Sequence, residues 1–403
     1  MRSIRRANQR IAAAALVAFG AEAAALAQDE RPTGYPRSAN EGADKPVSVS
    51  AVYTGEVRGN VEGGIAQGAR YLDNLDLQIA LDAERLIGWQ GARMFGYVLY
   101  NNGTPFSTRL VGDAQGVSNI ETGVRAVRLF EAWVEQDLGA RGSVKAGLYN
   151  LNSEFDTTIS GGLFHLSSHG IGPDFSQSGE NGPSIFPNTS LAVRGEYAAD
   201  DHWLIRAAVL DGVPGDPARP RRTAVKLSAR DGALLVGEVD RLASDIRVGL
   251  GTWVYTAGFE TVEGPDDARS RGNAGAYAFV ERQLAGSGKL GERGLAGWVR
   301  VGVANPRFNP VHTYLGAGLV RTGMGAGRPD DQLGLSIAAA QFGSRFRAAE
   351  APAGREVIVE AAYHRTVKPW LTLQPDVQWV INPSGRTDLG DALVVGLRFK
   401  VGR

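Results

Sequence analysis

The chain has 403 residues, with 43 Lys and Arg against 43 Asp and Glu and no cysteine. The charge balance gives no argument for nucleic-acid binding, and the missing thiols exclude a disulfide scaffold, iron–sulfur clusters and thiolate chemistry. Glycine supplies 53 residues, well above the usual share of ~7%, and it is spread along strand-like segments instead of being gathered in a linker.

At the N-terminus, Arg2, Arg5, Arg6 and Arg10 form a basic region, Ile11 to Phe19 a short apolar run, and Ala25-Leu26-Ala27 a small-residue cleavage signature. Residues 1–27 therefore read as a signal peptide. The apolar run is well short of the ~20 residues that cross a bilayer as a helix. Export removes four of the 43 basic residues and one of the 43 acidic ones, leaving 39 and 42 and a net charge of −3. Residues 28–46, with Pro32, Pro36 and Pro46, read as a flexible lead-in. One domain is expected over 47–403.

From Val47 onward the pattern is strand, turn, strand. Leu75, Leu77, Ile79 and Leu81 alternate with Asp76, Gln78, Ala80 and Asp82. Phe130, Ala132, Val134 and Leu138 alternate with Glu131, Trp133, Glu135 and Asp137. The same period of two recurs around Leu191, Ile246, Leu295 and Leu371. In the last segment Leu393, Val395, Leu397, Phe399 and Val401 share one face, opposite Arg398 and Lys400. Period-two alternation puts one face against something apolar and the other against water. About sixteen such segments make more apolar face than one sandwich core can hide, and no fixed repeat marks a propeller or solenoid. The reading is an all-β, antiparallel, up-and-down transmembrane barrel that encloses an aqueous lumen, with its apolar faces toward lipid.

Short connections such as Glu84–Gly91 and Leu138–Ser143 suit periplasmic turns. The longest connection runs from about Asn152 to Asn188 and is too long for a simple turn. Phe155, Leu163, Phe164, Phe175, Ile185 and Phe186 within it need burial, so it is expected to fold inward and constrict the lumen.

Chemistry-bearing motifs are sparse. No GxSxG elbow, phosphate-binding loop or dinucleotide glycine pattern is present, and no cofactor or metal is expected. His165 and His169 are four apart, but without an HExxH pattern or a nearby carboxylate cluster they read as loop histidines. The inward face by parity mixes acids (Asp76, Glu131, Glu135, Glu196, Glu238, Asp376), bases (Lys145, Arg194, Arg206, Arg247, Arg300) and amides (Gln78, Gln374, Gln378), with Trp133, Trp253 and Trp298. A strongly ion-selective pore would show one dominant sign. Charged and amide groups bind vicinal hydroxyls and an aromatic ring covers a C–H face, so the mixture suits sugars. Tyr277, Phe279, Trp379 and Phe399 are expected on the outward face as an interfacial girdle.

Several stretches resemble the carbohydrate-selective porins of the OprB family. They are Glu360-Ala-Ala-Tyr363, Pro375-Asp-Val-Gln378-Trp-Val-Ile-Asn382-Pro383-Ser-Gly385, Gly327-Arg-Pro-Asp-Asp331-Gln-Leu-Gly334, Gly172-Pro-Asp-Phe-Ser-Gln-Ser-Gly179, Gly182-Pro-Ser-Ile-Phe-Pro187 and Leu75-Asp-Leu-Gln-Ile-Ala-Leu-Asp82. They occur in the family's order across most of the chain. Ser384 replaces the first glycine of the family's Pro-Gly-Gly turn, and Phe399 stands four residues before the end, where such barrels usually finish on an aromatic. The resemblance implies a sixteen-stranded barrel in a Gram-negative outer membrane that passes sugars by diffusion, guided by constriction-site Arg and Glu residues. Its expected partners are sugars, outer-membrane lipid and lipopolysaccharide, and the barrel assembly machinery; a homotrimer is left open. The alternatives are a general porin, a β-barrel hydrolase, which would need a nucleophile paired with one of the histidines, and a structural barrel. The last would need a large plug, for which the nineteen residues of 28–46 are too few.

Overall fold

The computed structural model describes residues 45–262, 269–286, 288–325 and 327–402; the signal peptide and most of the lead-in lie outside them. Sixteen antiparallel strands close into one barrel. In chain order they are β1 (Val47–Gly64), β2 (Gly68–Asp82), β3 (Ala92–Asn101), β4 (Ala126–Leu138), β5 (Gly142–Tyr149), β6 (Ser190–Ala198), β7 (Trp203–Asp211), β8 (Ala233–Leu242), β9 (Ile246–Tyr255), β10 (Ala274–Gly286), β11 (Gly294–Ala304), β12 (Val311–Thr322), β13 (Gln332–Phe342), β14 (Arg355–Lys368), β15 (Leu371–Ile381) and β16 (Gly390–Gly402). Neighbours in sequence pair throughout, and β1 closes the ring on β16 with Val57 opposite Leu397 and Gly55 opposite Phe399.

Alternation gives the wall two chemistries. Val57, Leu77, Val209, Leu250, Val301, Leu335 and Leu397 stand exposed on the outside, while Arg58, Asp76, Ala208, Trp253, Arg300, Ser336 and Arg398 are buried on the inside. Strand after strand, exposed apolar groups opposed by buried polar ones describe a lipid-facing surface around a polar lumen. No described helix is long and apolar enough to cross a membrane. The strand ends that carry Val47 and Gly402 are joined by short turns such as 139–141 and 243–245. The opposite ends carry the long loops 102–125, 150–189 and 212–232.

Three aromatic residues depart from the sequence reading. Tyr277 and Phe279 point inward and are buried, not outward as girdle residues. Tyr277 and Phe279 share their face with Glu281 and Gln283, which are also buried, so parity puts both rings in the lumen. On β9, Gly251 and Gly249 stand opposite Tyr277 and Phe279 and leave room for the rings. A Cβ on Gly251 would lie 2.1 Å from Tyr277 Cζ. Phe130 also turns inward. The register of β4 against β3 shifts there, with Tyr97 opposite Glu131 but Val98 opposite Leu129. The extra residue of this bulge moves Phe130 from the lipid row to the lumen, where it meets Tyr97 and Phe186. Trp379 does stand on the outer surface, and Phe399 packs beside Tyr53.

Candidate functional site

Two long loops enter the lumen from the same end. Residues 102–125 bury Phe106, Leu110, Val111 and Val117 against the inner faces of β12, β13 and β15. Residues 150–189 bury Phe155, Leu163, Phe164, Phe175, Ile185 and Phe186, as their apolarity requires. The loops bond each other, Asn119 N donating to His165 O and Ser167 N to Gly116 O, both at 2.8 Å. The constriction is therefore built jointly. The second loop was legible from its length and aromatics, but the first was not singled out.

Around the wall the charged residues form consecutive ion-pair groups, not a single-signed surface. Lys145 Nζ lies 2.7 Å from Glu154 Oε1 of the loop, while Arg194 bridges Glu154 and Glu135 at 2.7 and 2.8 Å. Burial alone would raise the Glu154 carboxyl, but Arg194 and Lys145 outweigh it and hold the group well below its ordinary value. Next, Arg206 bonds Glu196 at 2.8 Å and Asp240 at 2.9 Å, and Arg247 bonds Asp240 at 3.2 Å and donates to the loop carbonyl of Thr157 at 2.7 Å. On β11, Arg300 grips two loop carboxylates, Asp156 at 2.6 Å and Asp174. Closing the circuit, Arg58 bonds Asp376 at 3.0 Å and Glu56 at 2.6 Å, and Glu56 also takes Arg398. Such a balanced wall cancels charge locally and leaves hydrogen-bonding capacity near the solute path.

A small recess of about 10 Å³, room for a single water molecule, lies between loop and wall, lined by Asp156, Thr158, Ser168, His169, Trp298 and Arg300 among others. His169 Nε2 lies 2.9 Å from Ser336 Oγ, and its ring meets Trp298 edge-on at 4.9 Å. Burial holds His169 down at about 3, so it is neutral here. Trp298 Nε1 and Thr158 Oγ1 are buried without a hydrogen-bond partner among the described residues. A donor and a hydroxyl left open beside a bidentate arginine–carboxylate pair are groups that one buried water can satisfy.

The other sequence-singled residues distribute as follows. Trp253 is stacked by Phe175 of the loop at 5.0 Å, and Trp133 by Phe95 at 5.2 Å with Lys145 Nζ 4.2 Å from its ring. Glu131 accepts from Asn150 N at 3.1 Å, and Glu238 from Asp156 N and the Tyr277 hydroxyl at 2.8 and 2.7 Å. Gln378 donates to Val117 O at 2.8 Å, and Gln374 donates to Leu163 O. Asp76 and Gln78 stay apart from both loops, Asp76 accepting from Tyr97 at 2.6 Å and Gln78 from Ser50 at 3.4 Å. Missed by the sequence reading were the loop carboxylates Glu154, Asp156 and Asp174 and the wall residues Glu56, Arg58, Asp240, Glu281, Glu356 and Glu360, while Arg398, expected on the lumen face of the last strand, is buried there against Glu56.

His165 needs correcting too. Carboxylates do surround it, but they come from β14 and β15. Donor atoms of His165, Glu360 and Asp376 lie within 4.8 Å of one another. Arg58 occupies this group, with two bonds to Asp376 and Nη2 2.9 Å from His165 Nδ1. The donors are thus spent on the protein itself.

A closed sixteen-stranded barrel with a lipid-facing exterior, a charged lumen and inward-folded loops is a porin. The description "Carbohydrate-selective porin, OprB family" matches residues 66–402, and the chain belongs to that family. Porin B of Pseudomonas aeruginosa is 24% identical over 397 residues, covering 86% of each chain. The high-pH structure of Pseudomonas putida OprB superposes with a TM-score of 0.78 at 21% identity, over 89% of this chain and 95% of that one. Its low-pH structure gives 0.58 at 18% identity, over 89% and 93%. These structures show the same fold. Family membership makes the protein a carbohydrate-selective channel of the Gram-negative outer membrane.

Proposed function

We propose that the channel passes monosaccharides and other small sugars by passive diffusion into the periplasm, with residues 150–189 forming the selective constriction. The observation that supports this most is the inner wall itself, where arginines and carboxylates of both signs are paired around the ring and cancel charge locally. The remaining inward residues from Asp76 to Gln378 keep the lumen wet and shape its approaches. A neutral, hydroxyl-rich solute suits a wall of paired charges better than an ion does, because an ion would have to compete with partners already 2.6–3.2 Å away.

The remaining assignments follow from that role. Residues 1–27 direct export and are cleaved near Ala27, 28–46 are a periplasmic lead-in, and the short-turn end of the barrel faces the periplasm. The exposed apolar rows meet lipid and lipopolysaccharide, and the last strand with Phe399 is offered to the barrel assembly machinery. The chain works as a channel without catalysing a reaction. Whether it functions as a homotrimer is tested by native mass spectrometry.

In planar bilayers, added glucose should lower the single-channel current by occupying the constriction. A folded channel whose current ignores every sugar tested would reduce the protein to a general porin.

A further inference from the structure

We infer that the exclusion limit of this channel is set by wall carboxyl groups that the solute never touches: Glu281 and Glu360 hold the constricting loop by its backbone amides and are its positioning residues. The inference rests on the reading of 150–189 as the constriction.

The loop carries only short helical turns and would move freely unless tied. Its ties are of two kinds. Ion pairs such as Arg300 with Asp156 depend on loop side chains. The other ties do not. Ile159 N and Ser160 N donate to the two oxygens of Glu281 at 2.8 and 2.9 Å, and His165 N and Leu166 N donate to the two oxygens of Glu360 at 2.7 and 3.0 Å. Each carboxyl takes a pair of adjacent N–H groups, an arrangement that a pair of oxygens about two ångströms apart fits well.

Position gives these clamps their consequence. Glu281 stands on β10 and Glu360 on β14, four strands apart around the ring of sixteen. The recess residues Asp156 and Thr158 lie just before the first clamp, and Ser168 and His169 just after the second. The loop is therefore fixed on both flanks of the recess. Both glutamates are 0% exposed, so neither reaches the solute path and neither can act as a charge filter. Glu356 repeats the device on the other lumen loop, accepting from Ala114 N at 2.8 Å and Gln115 N at 3.1 Å.

Backbone amides are present whatever the side chain. The wall thus fixes the depth of the loop, while the loop's side chains remain free to tune which solute passes. Glu360 opens the Glu-Ala-Ala-Tyr segment, so the segment that marks the sequence supplies one of the two clamps.

The test is the double variant E281Q/E360Q in the full-length protein. Glutamine keeps one acceptor per clamp but turns an NH2 toward the second amide, and each change should raise the displaced-loop population about tenfold. Sieving by a graded series of polyethylene glycols in bilayer recordings, and liposome swelling with glucose, a disaccharide and a trisaccharide, read the limit. The expected result is a raised limit, so that a trisaccharide excluded by the wild type enters, with an unchanged temperature for unfolding of the barrel in detergent. An assembled double variant with the wild-type limit overturns the inference. If the double variant does not assemble, E360Q alone, which leaves the Glu281 clamp intact, gives the same decision with a smaller shift. The uncharged polymers separate the two claims: a wild-type channel that admits no sugar refutes the functional proposal, yet its polymer limit still reports on the clamps.

Discussion

Arg300 is where removing one group should change the channel most. Its guanidinium holds Asp156 through Nε at 3.0 Å and Nη2 at 2.6 Å, and holds Asp174 through Nη2 at 3.1 Å and Nη1. It also lies 5.4 and 5.3 Å from the rings of Tyr277 and Tyr314. R300M keeps the apolar stem, removes the cation and leaves two buried carboxylates facing each other. Breaking a buried pair by removing one partner costs about 3–5 kcal/mol. At about 1.4 kcal/mol per tenfold, the population in which Asp156 leaves the wall rises by roughly a hundredfold to a few thousandfold. The lumen also loses one positive charge. Bilayer recordings in a KCl gradient should show a reversal potential shifted toward cation preference, with a larger and noisier conductance. R300K keeps the charge without the fork, so it should hold the selectivity but not the quiet current. An R300M channel with wild-type reversal potential, conductance and noise would refute the view that this pair holds the loop.

Three further outcomes are expected. Burial keeps His169 neutral with its value down at about 3, below the ~6.5 it would have in a released loop. Its contribution to anchoring is therefore complete above pH 6.5 and is lost as pH falls toward 3. At pH 5 the loss is about 2 kcal/mol, and exchange of the amides of 165–170, corrected for intrinsic rate, should rise about thirtyfold relative to pH 7; in H169Q that pH dependence should vanish, and a pH-independent wild type would contradict the assignment. Replacing Leu250, 63% exposed on the outer wall, with Arg should cost about 2–4 kcal/mol if the site is near the membrane midplane, read as a lower denaturant midpoint in lipid vesicles; no change would place the residue away from lipid. W253A removes the ring stacked on Phe175 and should cost about 3–5 kcal/mol, seen as earlier proteolysis within 150–189 while the barrel itself stays resistant.

The barrel was readable from the chain because its period of two is imposed by geometry: Leu397 and Arg398 cannot share a face. Parity was not carried through on one strand and was broken on another. On β10, Tyr277 and Phe279 share a face with Glu281 and Gln283, which parity assigns to the lumen, and the facing glycines of β9 make room for the rings. At Phe130 a single inserted residue reversed the faces of β4, and no periodic pattern announces a bulge. The site was half legible. Arg300, Arg194 and Glu238 were found because they alternate with apolar neighbours. Glu154, Asp156 and Asp174 sit in a loop with no period, and their partners lie on strands that the sequence does not connect to them. His165 shows the same limit, since Glu360 and Asp376, its carboxyl neighbours, stand about two hundred residues away along the chain. Glu281 was within reach of parity and was lost with its strand.

The central claim is that this lumen distinguishes small sugars from ions and from larger solutes. Liposome swelling with glucose, a disaccharide, a trisaccharide and charged solutes of glucose size tests it directly. A carbohydrate-selective sieve should admit glucose faster than either the larger sugars or the charged solutes of its own size. Equal rates for neutral and charged solutes of one size would contradict it.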